Sequence, residues 1–126
     1  MRIFIVASMI MAGALTSTVS GQSEALSREI AIETYEKADK LLNQTYQDLT
    51  KLLDADEKKE LLTKQKAWIK KRDQLADKAA KSLEGTNMYH RHRNETLMEL
   101  TVKRYAELLI EYYYVYERKY YRKDGE

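Results

Sequence analysis

Between about Ser23 and Leu53, apolar or small residues recur at Tyr35, Ala38, Leu42, Thr45, Leu49 and Leu52 in alternating steps of three and four. That spacing puts them on one stripe of an α-helix, which Leu26, Ile30, Leu41, Tyr46 and Leu53 widen. Asp54 then opens Asp-Ala-Asp-Glu, where an aspartate N-cap accepts from backbone amides and Glu57 answers three residues on. A second helix is therefore expected from Ala55. Its stripe reads Leu61, Gln65, Trp68, Arg72, Leu75 and Ala79, and Leu83, Glu84 and Gly85 supply a stop. Gly85, Thr86 and Asn87 form the one strong interior loop signal. The third helix starts within a few residues of Met88 and runs through Leu97, Thr101, Arg104, Leu108, Tyr112 and Val115 toward Tyr121, leaving residues 123–126 as a frayed tail. Helices of about 40–50 Å joined by short connections predict an all-α fold, three long helices in an up-down-up antiparallel bundle.

Ahead of these helices the pattern changes. Met1-Arg2 is a short cationic start, and Ile3 to Leu15 is an uncharged apolar run of thirteen residues. That is short of the roughly 20 residues a spanning helix needs. Small and hydroxyl residues follow, with Val19 and Gly21 at the small-residue positions of a signal-peptidase site. We expect residues 1–21 to be a cleaved signal peptide and the domain to cover 22–122. No cysteine follows the run, so the product is expected to be a soluble periplasmic or secreted protein and not a lipoprotein. N-terminal sequencing separates this from a retained membrane anchor.

The 126 residues include no proline, no cysteine and four glycines. A chain of this length is one domain at most, and few turn-formers suit long helices better than sandwiches or barrels. Without cysteine there is no disulfide scaffold, thiolate metal site or cysteine nucleophile. Removing the leader takes the only Phe with it and leaves 21 basic and 20 acidic residues, a near-neutral balance that argues against a nucleic-acid partner. The charges are nonetheless segregated. Residues 22–57 hold four basic and nine acidic groups and residues 58–81 nine basic and three acidic, which suggests that the first two helices attract one another.

Two arginines fall on stripes expected to be buried, Arg72 one turn beyond the sole tryptophan and Arg104 between Thr101 and Leu108. Each must be paired or its burial is costly, and a carboxylate on a neighbouring helix is the expected partner. These residues also carry a resemblance. Leu-Asn-x-x-Tyr from Leu42 to Tyr46, Gln65-x-x-Trp68-x-x-x-Arg72-Asp73 and Leu100-Thr101-x-x-Arg104-x-x-x-Leu108 occur in the order and spacing of the LprI-like lysozyme-inhibitor domain, which this chain resembles over about Ala38 to Leu109. The resemblance implies an exported helical protein that binds and blocks a lysozyme, with Trp68, Arg72, Asp73, Thr101 and Arg104 in structural roles. It also implies a pair of cysteines, one after Arg-Asp and one before the last motif. This chain has Leu75 and Ala76 in the first region and no cysteine in the second, so the intervening loop is unclamped.

Blocking a cleft that holds two catalytic carboxylates asks for a protruding element rich in donors. The turn from Gly85 to Asn94 is the local feature that fits, and Tyr89, His90, Arg91, His92 and Arg93 are the candidate partner-binding residues. The acidic first helix is a competing surface toward a basic lysozyme. His90 and His92 point about 200° apart on a helix and have no third histidine or cysteine, so no metal site is expected. Phosphate loops, nucleophile elbows and zinc-protease motifs are all missing, and the chain is read as neither an enzyme nor a cofactor binder. Near the C-terminus, Tyr105, Leu109, Tyr112, Tyr116 and Tyr120 share a face expected to pack in the core in place of phenylalanine. The remaining tyrosines with Arg118, Lys119, Arg122 and Lys123 are a candidate surface for glycan, protein or an anionic membrane.

Overall fold

A computed structural model of the chain describes residues 13–122, with side chains from Ser20 onward. Residues 1–12 of the expected signal peptide and the expected tail at 123–126 lie outside the described residues. Within them the fold is all-helical: α1 (Gly13–Leu52), α2 (Ala55–Ala80), a single 3₁₀ turn (Lys81–Leu83) and α3 (Tyr89–Tyr120). α1 is already helical at Gly13, the first described residue, ahead of the expected start near Ser23, and passes through the expected cleavage site without a break. No proline interrupts it, and one interior glycine, Gly21, costs a helix only about 1 kcal/mol.

Both connections are built by local chemistry. Asp54 Oδ1 accepts from the Glu57 amide at 2.8 Å while the Asp54 amide donates to Glu57 Oε2 at 3.1 Å, the reciprocal cap expected from the sequence. It lets α2 start with only two residues, Leu53 and Asp54, between it and the end of α1. At the far end of α2 the 3₁₀ turn leads to Gly85 at φ +80°, a left-handed conformation that a side chain resists even though a Cβ there would meet nothing within 4 Å. Thr86 then donates through Oγ1 to the Leu83 carbonyl at 2.7 Å, and α3 begins at Tyr89.

The core is unevenly distributed along the helices. Leu42, Leu49, Leu53, Leu61, Leu108 and Val115 form one buried cluster near the α1–α2 connection, flanked by half-buried Tyr46, Leu52, Trp68, Tyr105 and Tyr112. Toward the other end the buried positions are mostly small, with Ala31, Ala38, Ala76 and Ala80 beside Leu97 and Thr101. Ala31, Ala38 and Thr45 recur every seventh residue on α1, and α1 packs along α3 more closely than α2 does.

Several stripe assignments shift. Leu26, Ile30 and Leu41 are exposed rather than widening the α1 core face. On α2 the buried line passes through Ala76 and Ala80, so Leu75 and Ala79 lie outside it. At 3.6 residues per turn Ala79 lies five full turns above Leu61 on the same side of α2, so the burial of Ala76 and Ala80 in its place means that the covered line winds around the helix toward the Gly85 end. Tyr105 and Tyr112 join the core, but Leu109, Tyr116 and Tyr120 are exposed. Charge segregation is also not realised as paired side chains. Among the described residues Arg72–Asp39 is the one ion pair between α1 and α2, and the lysines of α2 face solvent.

Candidate functional site

Arg72 projects from α2 into a box of side chains from two helices. Its guanidinium lies 5.1 Å from the Trp68 ring centroid and 5.6 Å from that of Tyr35. Nε donates to Asp73 Oδ1 at 2.9 Å and Nη1 to Asp39 Oδ1 at 3.2 Å. The arginine is buried, whereas both carboxylates keep roughly a third or more of their surface in water. The expected cross-helix carboxylate is therefore present, and the flat cation is stacked as well as paired. Burial raises the Tyr35 phenol above its ordinary value, with the Arg72 charge opposing that rise.

Arg104 pairs differently from expectation. Its Nε donates to Gln65 Oε1 of α2 at 3.0 Å, but the carboxylate it meets, Glu107 at 3.0 Å, is on its own helix. Gln65 thus takes the cross-helix role that a carboxylate was expected to fill. Thr101 is fully buried and its hydroxyl has no hydrogen-bond partner in the protein. It serves as compact packing in the bundle interior, not as a polar group.

The five candidate partner-binding residues occupy the first turns of α3, immediately after the Gly85 turn, and they do not form one surface. Arg91 Nε sits 3.0 Å from Glu24 Oε1 of α1, a charge contact too poorly aligned to count as a hydrogen bond. Arg93 Nε donates to Asp77 Oδ1 of α2 at 2.7 Å, and this hydrogen bond holds the guanidinium in its charged form. Residues two apart on a helix point in nearly opposite directions, so one arginine latches each neighbouring helix. His90 is exposed and packs edge-on against Tyr89 with ring centroids 5.2 Å apart, while His92 Nδ1 lies 3.6 Å from Glu95. Beside this turn a cleft of about 180 Å³ is lined by Gly21, Glu24, Ala25, Arg28 and Asn87. Among the described residues no three acidic or histidine side chains converge as a metal site would require, and no helix is long and apolar enough to cross a membrane.

Trp68, Arg72 and Asp73 stood out in the sequence and Tyr35 lay on the expected α1 stripe, whereas Asp39 did not stand out, nor did Glu24 and Asp77 as anchors of the α3 arginines. Asp39 sits next to Ala38 on the edge of the α1 stripe, a position that reads as a solvated charge until the facing helix is in place. The family model described as lysozyme inhibitor LprI matches residues 16–108, 93 of the 126 residues. The match begins inside the expected leader and stops before the tyrosine-rich end of α3. No curated protein and no solved structure matches the chain.

Proposed function

The chain belongs to the lysozyme inhibitor LprI family, and from that premise we propose that it is an exported binding protein that blocks a cell-wall glycan hydrolase by occupying its cleft. The family is one of inhibitors, not catalysts. In this reading residues 1–21 are removed as a signal peptide, residues 22–122 form the domain in the periplasm or outside the cell, and the three helices run up, down and up. Pairs at three levels support that direction: Glu24 with Arg91, Asp39 with Arg72, and Glu57 with Arg118.

The contact surface is the end of the bundle built from the Gly85 turn, the first turns of α3 and the part of the cleft beside Asn87 that cleavage leaves, lined by Glu24, Ala25 and Arg28. Half-buried Tyr89 and exposed His90 supply an aromatic edge, and His92 with the arginines supplies donors for carboxylates in a glycan-cleaving cleft. The observation that carries the proposal is the family match. A turbidity assay of cell-wall lysis, run with several lysozyme types, tests it. Slowed lysis with at least one enzyme is expected, and replacing Tyr89, His90, Arg91, His92 and Arg93 together by alanine should abolish the slowing in a protein that remains helical. No slowing with any enzyme refutes inhibition.

One observation favours a second reading, a non-inhibitory envelope interaction protein of the same fold. Arg91 and Arg93 are already engaged by Glu24 and Asp77, so their charges are partly satisfied within the chain. The same assay separates the two readings.

A further inference from the structure

Outside the site just described, the largest unexplained feature is the outer face of α3. Val102, Ala106, Leu109, Tyr113, Tyr116 and Tyr120 are all exposed, the five larger ones by 37% to 62%. Their spacing is four, three, four, three, four, the repeat of a coiled-coil seam. The side of α3 that meets α2 is fixed by Arg93, Arg104 and Arg118, which reach Asp77, Gln65 and Glu57. At 3.6 residues per turn the seam lies about 180° around the helix from that line. It therefore faces away from α2, and no described residue covers it. Tyr112, Tyr116 and Tyr120 also brace one another, with ring centroids 6.0 and 4.7 Å apart, which limits the side-chain freedom left to lose on association.

We propose that this seam pairs with the same seam of a second copy of the chain, the two α3 helices lying antiparallel about an axis near Glu111. Three features of the seam fit that occupant. In the antiparallel register Tyr113 packs against the other copy's Leu109, Tyr116 against its Ala106, and Tyr120 against its Val102, so each large residue meets a smaller one. In the same register Lys103 and Glu117 flank the seam on one side, two residues or about 3 Å off level and within reach of each other, twice by symmetry. Neither residue makes an ion pair with a described residue of its own chain, so both are free to do so. The area is at the lower bound of a specific interface: with a tyrosine worth about 200 Å² and these three exposed by 37% to 62%, they offer roughly 300 Å² per copy, and Val102, Ala106 and Leu109 bring the pair to about 1,000 Å². A parallel pair sets Tyr112 beside Glu117 and gains no charge match. The pairing is independent of whether the turn end binds a lysozyme.

Sedimentation of the purified protein across a concentration series tests the proposal. A reversible dimer within about 200 µM is expected. Lys103→Glu and Glu117→Lys, both at exposed positions, should each weaken it by about tenfold because each puts like charges together at two places. Mixing the two variants in equal amounts should restore a dimer, since each then supplies what the other lacks, and circular dichroism checks that both remain folded. A wild-type protein that stays monomeric overturns the proposal, and if that monomer floats with vesicles of anionic phospholipid the face covers a lipid surface instead. Unchanged dimerisation in both single variants, or failure of the mixture to pair, overturns the antiparallel register.

Discussion

Replacing Arg72 separates the two ways a buried arginine contributes to stability. Truncation by Arg72→Ala removes two ring contacts of about 0.5–1 kcal/mol each, the packing of the aliphatic stem against Trp68, and two ion pairs. Because Asp39 and Asp73 keep 35% and 44% of their side-chain surface exposed, each pair is worth well under 1 kcal/mol after solvent screening. The total is about 2–3 kcal/mol, which in a domain of this size lowers Tm by roughly 10–20 °C. Arg72→Met keeps the stem volume and loses only the charge. Losing the charge also loses the cation–ring attraction, which thioether–ring contacts replace only in part, while both carboxylates can rehydrate, so its cost should be about 1–1.5 kcal/mol and below that of alanine. Arg72→Lys keeps the charge and loses the stacked plane, and should fall between. Thermal unfolding followed by far-ultraviolet circular dichroism gives all three values. If methionine costs as much as alanine, the charge and not the stacked, packed side chain stabilises the box, and the reasoning is refuted.

Three further outcomes follow from single groups. Thr101→Val swaps an unpartnered buried hydroxyl for a methyl of nearly equal volume, so stability should hold or rise by about 1 kcal/mol in urea unfolding, and a clear loss would reveal a hidden partner for that hydroxyl. Asp54→Ala removes the amide acceptor of the α2 cap and should cost about 1 kcal/mol by the same measurement. For Tyr35, whose phenol is raised by burial, the neutral form is favoured in the folded state, so its contribution is complete below the ordinary tyrosine value and is lost as pH rises through the folded value. Alkaline unfolding curves of wild type and Tyr35→Phe should therefore diverge only above about pH 10, and divergence at neutral pH would contradict that cause.

Helix positions were legible in the chain because their signals are local. The Asp54–Glu57 cap and the Gly85 stop each act within four residues, and both ends appear where the sequence placed them. Burial was less legible, because it depends on the facing helix. Leu109 and Tyr116 fit a core stripe as well as Leu108 and Val115 do, and only the direction from which α1 and α2 approach decides which line is covered. Pair partners were the least legible. Nothing in Glu24 or Asp77 distinguishes them from the other acidic residues of their helices until α3 brings an arginine alongside.

The division of the core along the bundle bears on both proposals. At the α1–α2 connection, leucines and tyrosines interdigitate, and that end resists deformation. At the Gly85 end the buried side chains are mostly alanines with Leu97 and Thr101, and Arg91–Glu24 and Arg93–Asp77 tie α3 to its neighbours through contacts that salt screens and a competing carboxylate can exchange. A partner bearing carboxylates would recruit those arginines by breaking the latches, so part of its binding energy would go into loosening the start of α3. An antiparallel pair about Glu111 would place each Tyr89 about 33 Å from the axis. The two turn ends would then lie roughly 65 Å apart at opposite poles, too far for one small enzyme to touch both. Pairing would thus leave the affinity of each end for a free enzyme unchanged and raise retention only where targets are fixed on a common surface. Inhibition measured against a dissolved lysozyme and against one bound to cell wall should differ for the wild type and agree for Lys103→Glu.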